Sequence, residues 1–184
     1  MREFLARVRG LIFITMCKFT RKNVTIGSGL KIYKRLEISG KGRIIIGRNC
    51  MVCGISGDPS QYVCLETLSP NAVIRIGDNA SLCAARIQAK FQIVIGNDVL
   101  IEEAGIMDTD FHSIAKDRGI PMNEKADKCQ VTVGNRVCVG ARSSILKGTT
   151  IGDDVIVAPG AIVTMSVKPG YMVAGNPAKI FTHG

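Results

Sequence analysis

The chain has 184 residues, of which 46% are hydrophobic, only 5% aromatic and none Trp. That is one domain's worth of chain with enough apolar material for a core, and it lacks the interleaved aromatics on which single-stranded nucleic acid stacks. The net charge of +9 is unevenly placed: residues 1–48 hold 12 Lys/Arg against Glu3 and Glu37, while the remainder holds 12 basic and 13 acidic residues. A basic end on a nearly neutral body suits nucleic acid or an anionic membrane surface as a partner, and the missing aromatics weigh against nucleic acid. The seven Cys are an odd number and no convincing signal peptide precedes them, so the expectation is reduced thiols in the cytoplasm.

In chain order, residues 1–22 read MREFLARVRGLIFITMCKFTRK. Phe4, Leu5, Val8, Leu11, Ile12 and Thr15 approximate one helical face, with Arg2, Arg7 and Arg9 beside it. The apolar run Leu11–Met16 is far too short to span a bilayer. Two readings stay open. The segment caps the open end of the fold behind it, or it also leans on the inner face of an anionic membrane.

Behind it an aliphatic residue recurs at every sixth position: Ile26 and Ile32, Ile46 and Val52, Ile76 and Leu82, then Ile95, Ile101 and Met107. Between Val52 and Ile76 the aliphatic places fall on Asp58 and Pro70, which predicts a loop or irregular edge there. A one-residue slip separates Leu82 from Ile95. Cys50-Met51-Val52-Cys53 is a CxxC without a second pair, so it reads as repeat filler and no metal is expected. From Val133 the run is unbroken: VGNRVC, VGARSS, ILKGTT, IGDDVI, VAPGAI and then Val163. Period six is neither a strand's two nor a helix's 3.6. It fits a short strand plus a turn, three to a triangular coil of about 18 residues, stacked into an all-β solenoid. Gly77-Asp78, Gly96-Asn97, Gly134-Asn135 and Gly152-Asp153 fall at corners, where positive φ is expected.

The interval of 26 residues from Met107 to Val133 exceeds one coil by about eight, so a loop is expected within Ser113–Cys129, a polar stretch suited to an excursion. At its root stands MDTDFHSI, Met107 to Ile114. His112 is one of only two histidines, the other being His183. An imidazole moves a proton readily near neutral pH, and at a loop root it is placed to act as a general base. Asp110, two residues away, shares its face in an extended segment. Asp108 and Asp110 are the candidate residues to orient the ring.

The hexads, the DTDFHSI stretch and the ending Gly175-Asn176-Pro177-Ala178-Lys179 together resemble the hexapeptide-repeat acyltransferases, in their polysaccharide or sugar O-acetyltransferase branch. The resemblance covers roughly residues 24–181. It implies a left-handed parallel β-helix with a C-terminal cap over about 165–184. It also implies acetyl-CoA as co-substrate and acetyl transfer to a sugar hydroxyl in surface polysaccharide or lipopolysaccharide biosynthesis, with His112 as base. By the same resemblance coenzyme A runs along an edge at Gly140, Ala141, Ala158, Pro159 and Gly160, with Thr164 and Lys179 as further contacts. Lys179 is the candidate for the nucleotide phosphates. The assembly implied is a homotrimer with sites between subunits. Two departures stand out: Ser81–Lys90 lacks the Asn that such enzymes often carry one coil before the histidine, and Thr164 is followed by Met165 where some members carry Lys. Rival readings are an acetyltransferase for a free galactoside, serine or amino sugar, and a non-catalytic β-helix scaffold. A zinc site on the same prism needs three histidines, which His112 and His183 do not supply.

Overall fold

Ile26, Ile46, Ile76, Ile95, Val133 and Ile151 stand one above another in register in the computed structural model, which describes residues 1–54, 58, 61–111 and 124–181. They form one inward column of a triangular prism. A second column is Ile32, Val52, Leu82, Ile101, Val139, Val157 and Val173. The third is Ile38, Leu65, Ile87, Ile106, Ile145 and Val163. The three faces are parallel sheets of six, eight and six strands, in which each strand pairs with those one coil before and after. The exception is the closing hairpin, where Lys179–Phe181 pairs antiparallel with Met172–Ala174 on the second face. Stacking at the usual strand spacing of about 4.8 Å buries the columns, apart from the partly buried Ile26 of the first coil. The fifth place of each hexad is also inward: Val137, Ser143, Thr149, Val155 and Ala161 are all buried.

Two details differ from the sequence expectation. On the third face Ile106, not Met107, is the inward residue. The corner before it is one residue shorter, so the strict six-residue count overshoots by one. The corner glycines also have a different job from the one expected. Positive φ falls two residues later, on Asn49, Asn79, Asp98, Arg136 and Asp154. The glycines are fixed by close approach: a Cβ on Gly77 would lie 2.6 Å from the Gly96 backbone, and one on Gly96 2.6 Å from Gly134. The residue after each glycine then links coils. Its side-chain oxygen accepts from the backbone N–H one coil below, as Asn97 does for Asp78, Asn135 for Asn97 and Asp153 for Asn135 at 2.8–2.9 Å.

The irregular edge expected after Val52 falls partly on residues outside those described; the next strand is Val63–Thr67, after which the chain turns at Pro70. Cys53 and Cys83, register partners in adjacent coils, are joined as a disulfide with Cα atoms 4.4 Å apart. This corrects the expectation of reduced thiols throughout and of Cys53 as filler. Stacking brings the two Cα atoms within the bonding range, which no pairing along the linear sequence would reveal.

The helix Arg2–Thr20 lies across the first coil. Its contact side is Ala6, Gly10 and Cys17, with Phe13 and Ile14 at its margins, and the apolar face noted in the sequence points away from the coil. The reason is clearance: a Cβ on Gly10 would sit 1.8 Å from the Leu30 carbonyl oxygen, so only small residues fit against the coil.

Candidate active site

The third-face strand Gly105–Met107 runs into the corner that carries Asp108, Thr109, Asp110 and Phe111. Asp108 is fully buried. Its Oδ1 accepts from the Lys90 N–H at 2.6 Å and its Oδ2 from the Phe91 N–H at 2.8 Å. Burial pushes its carboxyl up, against the backbone hydrogen bonds that favour the ion. These bonds clamp the corner of the preceding coil. They give Asp108 a structural task, while the orienting role expected for it turns on His112, which lies outside the described residues.

Gln92–Ile95 pairs directly with Val131–Val133, so the strands Gly105–Met107 and Val131–Val133 are consecutive in the prism, and the stretch between them exceeds an ordinary corner by more than the expected surplus of eight residues. Its returning end is Glu124 followed by the short helix Ala126–Cys129, which tucks the buried Cys129 back onto the body. Residues 112–123, and with them His112 and most of the expected loop, lie outside the described residues, as does His183.

Both ends of the excursion meet at Glu124, whose side chain is only 6% exposed. Its Oε2 accepts from Lys90 Nζ and from Thr109 Oγ1, each at 2.8 Å. Its Oε1 accepts from the Asp110 N–H at 3.0 Å and from Lys147 Nζ at 3.1 Å. Lys147 also holds Oδ2 of Asp110. Burial opposes ionisation of Glu124, but the donors from Lys90, Asp110, Thr109 and Lys147 outweigh it and bring its pKa down to about 2. Lys147 is likewise opposed by burial and held charged, above its ordinary value, by Asp110 and Glu124. Lys90, Glu124 and Lys147 were not singled out from sequence. The signal available was coil register: Gln88 pairs with Met107 and Ile106 with Ile145, which sets Lys90 below Thr109 and Lys147 above Asp108. Beside this corner lies a groove of about 400 Å³, lined by Ser69, Asn71, Lys90, Phe91, Gln92 and Gln130.

The cofactor candidates gather elsewhere. Gly140, Ala141, Ala158, Pro159 and Gly160 form the corner entering the third face. Gly140 lies so close to the next coil that a Cβ there would be 2.8 Å from the Pro159 nitrogen, whereas Gly160, at φ +71°, faces open space. Lys179 is exposed and pairs with Ala174, which follows Val173, the register partner of Val157, and so belongs to the same edge. Thr164, exposed, follows Val163, the partner of Ile145, and so stands at the Lys147 side. The structure thus sorts the predicted residues onto two margins of one face: Gly140, Ala141, Ala158, Pro159, Gly160 and Lys179 on one, and Asp108, Asp110 and Thr164 on the other. From Ala141 to Lys147 the extended chain spans roughly 15–20 Å.

Residues 130–164 match the family described as bacterial transferase hexapeptide (six repeats). The chain is 29% identical over 90 residues to galactoside O-acetyltransferase of Escherichia coli (strain K12), covering 49% of this chain and 43% of that protein. It is 48% identical over 50 residues to 2,3,4,5-tetrahydropyridine-2,6-dicarboxylate N-acetyltransferase of Staphylococcus aureus (strain JH9), covering 27% and 21%. The match therefore spans less than half the length of these curated relatives. Among solved structures, a galactoside acetyltransferase in complex with coenzyme A superposes with TM-score 0.56 at 19% identity, over 97% of this chain and 80% of that one. AntD, an N-acyltransferase from Bacillus cereus in complex with dTDP and 3-hydroxybutyryl-CoA, superposes with TM-score 0.60 at 16% identity over 90% and 86%. Residues 130–164 thus carry the repeat of the bacterial transferase hexapeptide family, and the chain has the left-handed parallel β-helix fold of these acyltransferase structures.

Proposed function

We propose that the protein transfers an acetyl group from acetyl-CoA to a hydroxyl of a sugar or glycan, with His112 as general base. The observation that carries this reading is the Glu124 cluster. By tying Asp110 and Lys147 to the returning end of the excursion, it fixes the point from which residue 112 departs. His112 is bonded to Phe111, one residue from that anchor. A neutral imidazole there takes the acceptor's hydroxyl proton as its oxygen attacks the thioester carbonyl, and returns it to the departing thiolate of coenzyme A as the tetrahedral intermediate collapses. Among the described residues only one carboxylate oxygen of Asp110 is engaged, by Lys147, and the other is assigned to orienting the ring. The groove lined by Asn71, Gln92, Gln130 and the Phe91 ring offers the amides and flat apolar surface that suit a sugar acceptor.

The donor belongs on the opposite margin. Small residues at Gly140–Ala141 and Ala158–Gly160 let a thin pantetheine chain approach, and exposed Lys179 suits a nucleotide phosphate. Donor edge and base root on one protomer are too far apart for direct transfer. Bringing the donor edge of one protomer against the base root of the next closes the gap, which favours a homotrimer with three shared sites. The exposed apolar side chains Phe111, Ile156 and Met165 are suited to that contact. Coenzyme A thioesters and activated sugars meet in the cytoplasm, the compartment this reading assigns, and surface polysaccharide assembly is the process it serves. The names of two similar proteins, galactoside O-acetyltransferase and the polySia specific acetyltransferase NeuO, support a sugar acceptor.

The test is release of free thiol from acetyl-CoA in the presence of a panel of mono- and oligosaccharides. Acceptor-dependent release that falls by roughly 10²–10⁴ in His112→Ala supports the reading. Undiminished release in that variant ends it.

A further inference from the structure

The contact side of the N-terminal helix leaves the opposite side bare. Phe4 is 68% exposed, Leu11 66%, Ile12 62% and Phe19 83%, with Val8 and Met16 between them. At 100° per residue these six fall within one continuous sector, opposite Ala6, Gly10 and Cys17. Arg2 and Arg9 edge the sector on one side, Arg7 and Lys18 on the other, and all four are exposed. The helix also bears Arg21 and Lys22 just beyond its end and only Glu3 as an acid. Arg7, Lys18 and Lys31 line a groove of about 540 Å³ that opens beside Leu11, between the helix and the first coil.

We propose that this helix docks the protein on an anionic lipid bilayer, lying in the interface plane with Phe4, Leu11, Ile12 and Phe19 among the acyl chains. An apolar sector with basic margins is the pattern that binds such surfaces. The helix does not cross the bilayer: no helix among the described residues is long and apolar enough. A second copy of the same face is a poor occupant, because the basic margins would oppose one another. Arg7, Lys18 and Lys31 sit where lipid headgroup phosphates would meet the groove. Since the lipid-facing and coil-facing sides are opposite, the prism stands end-on. The Glu124 corner, in the fourth coil, is then held roughly 20–25 Å from the surface, counting the helix and the intervening strand spacings. This geometry suits an acceptor carried on a lipid, but the docking does not depend on the proposed reaction.

The test is co-sedimentation of the full-length protein with vesicles of phosphatidylcholine alone and of phosphatidylcholine mixed with phosphatidylglycerol. The expected result is pelleting with the anionic vesicles that weakens as salt is added. It should drop at least tenfold in Phe4→Ser/Leu11→Ser/Phe19→Ser, whose side chains are outside the core. Arg2→Gln/Arg9→Gln tests the charge separately, with a loss of about fivefold per residue. The proposal is overturned if the protein does not pellet with anionic vesicles or if both variants pellet like the wild type. It is also overturned if the serine variant instead lowers the protein's own mass in sedimentation velocity without vesicles, which would make the face a protein–protein interface.

Discussion

Glu124 and Lys90 are 34 residues apart in the chain, yet their side chains meet at 2.8 Å and fasten the far end of the excursion to the coil beneath its start. This pairing makes a pH-dependent contribution to stability. The folded pKa of Glu124 is about 2 against an ordinary 4.5, so the unfolded chain binds the proton more readily in that window. The stabilisation is complete above about pH 4.5 and is lost as pH falls toward 2, amounting to roughly 3 kcal/mol at most. Glu124→Gln is therefore expected to be clearly less stable than the wild type at neutral pH, with the difference shrinking by pH 3. Urea unfolding at both pH values measures it. A difference that does not change with pH would mean that the charge of Glu124 is not what matters.

Lys147 touches both Asp110 and Glu124. Lys147→Met keeps the stem and removes the ammonium, leaving two carboxylates facing one another. A stability loss of about 1–3 kcal/mol is expected. If the corner positions the base, acetyl transfer falls at least tenfold in kcat with little change in the KM for acetyl-CoA, whose proposed edge lies across the face. Lys147→Arg, which keeps the charge, should recover part of the rate. A variant with normal kcat would detach this cluster from catalysis.

The prism was legible because its columns are a linear code: one aliphatic side chain per six residues, so Ile26, Val133 or Val157 could each be assigned an inward place by counting. Counting fails wherever a corner changes length, which is why Met107 was favoured over Ile106. It also misses contacts that arise only when coils are laid on one another. Lys90, Glu124 and Lys147 are unremarkable in sequence and become a cluster through register and the return of the loop. Cys53 and Cys83 become neighbours the same way. The two readings of the N-terminal segment stayed open because amphipathicity identifies an apolar side but not what covers it. Gly10, whose lack of a Cβ decides the contact, counts for nothing in a hydrophobic pattern.

The Cys53–Cys83 bond is open to a simple count. Cys17, Cys50, Cys64, Cys129 and Cys138 carry free thiols. Protein unfolded without reductant should therefore titrate five thiols, and seven after reduction. Because the bond closes a 30-residue interval, Cys83→Ser should cost about 2–4 kcal/mol. Seven thiols without reductant would remove the bond from the account of stability.

Gly96 and Gly160 separate two reasons for having no side chain. At Gly96 a Cβ would meet the Gly134 carbonyl oxygen at 2.6 Å, and the obstacle is the backbone of the next coil, which is itself stacked on another. At Gly160 nothing lies within 4 Å, but φ is +71°, so only local backbone strain opposes a side chain. Gly160→Ala should thus cost about 1 kcal/mol. Gly96→Ala must push coils apart along the corner where Asp78, Asn97 and Asn135 hydrogen-bond in series, and should cost several-fold more, on the order of 3 kcal/mol. Thermal unfolding of the two variants side by side makes the comparison. Equal losses would mean that the corner can spread at little cost, and the close stacking of glycines would no longer explain why they occupy that edge.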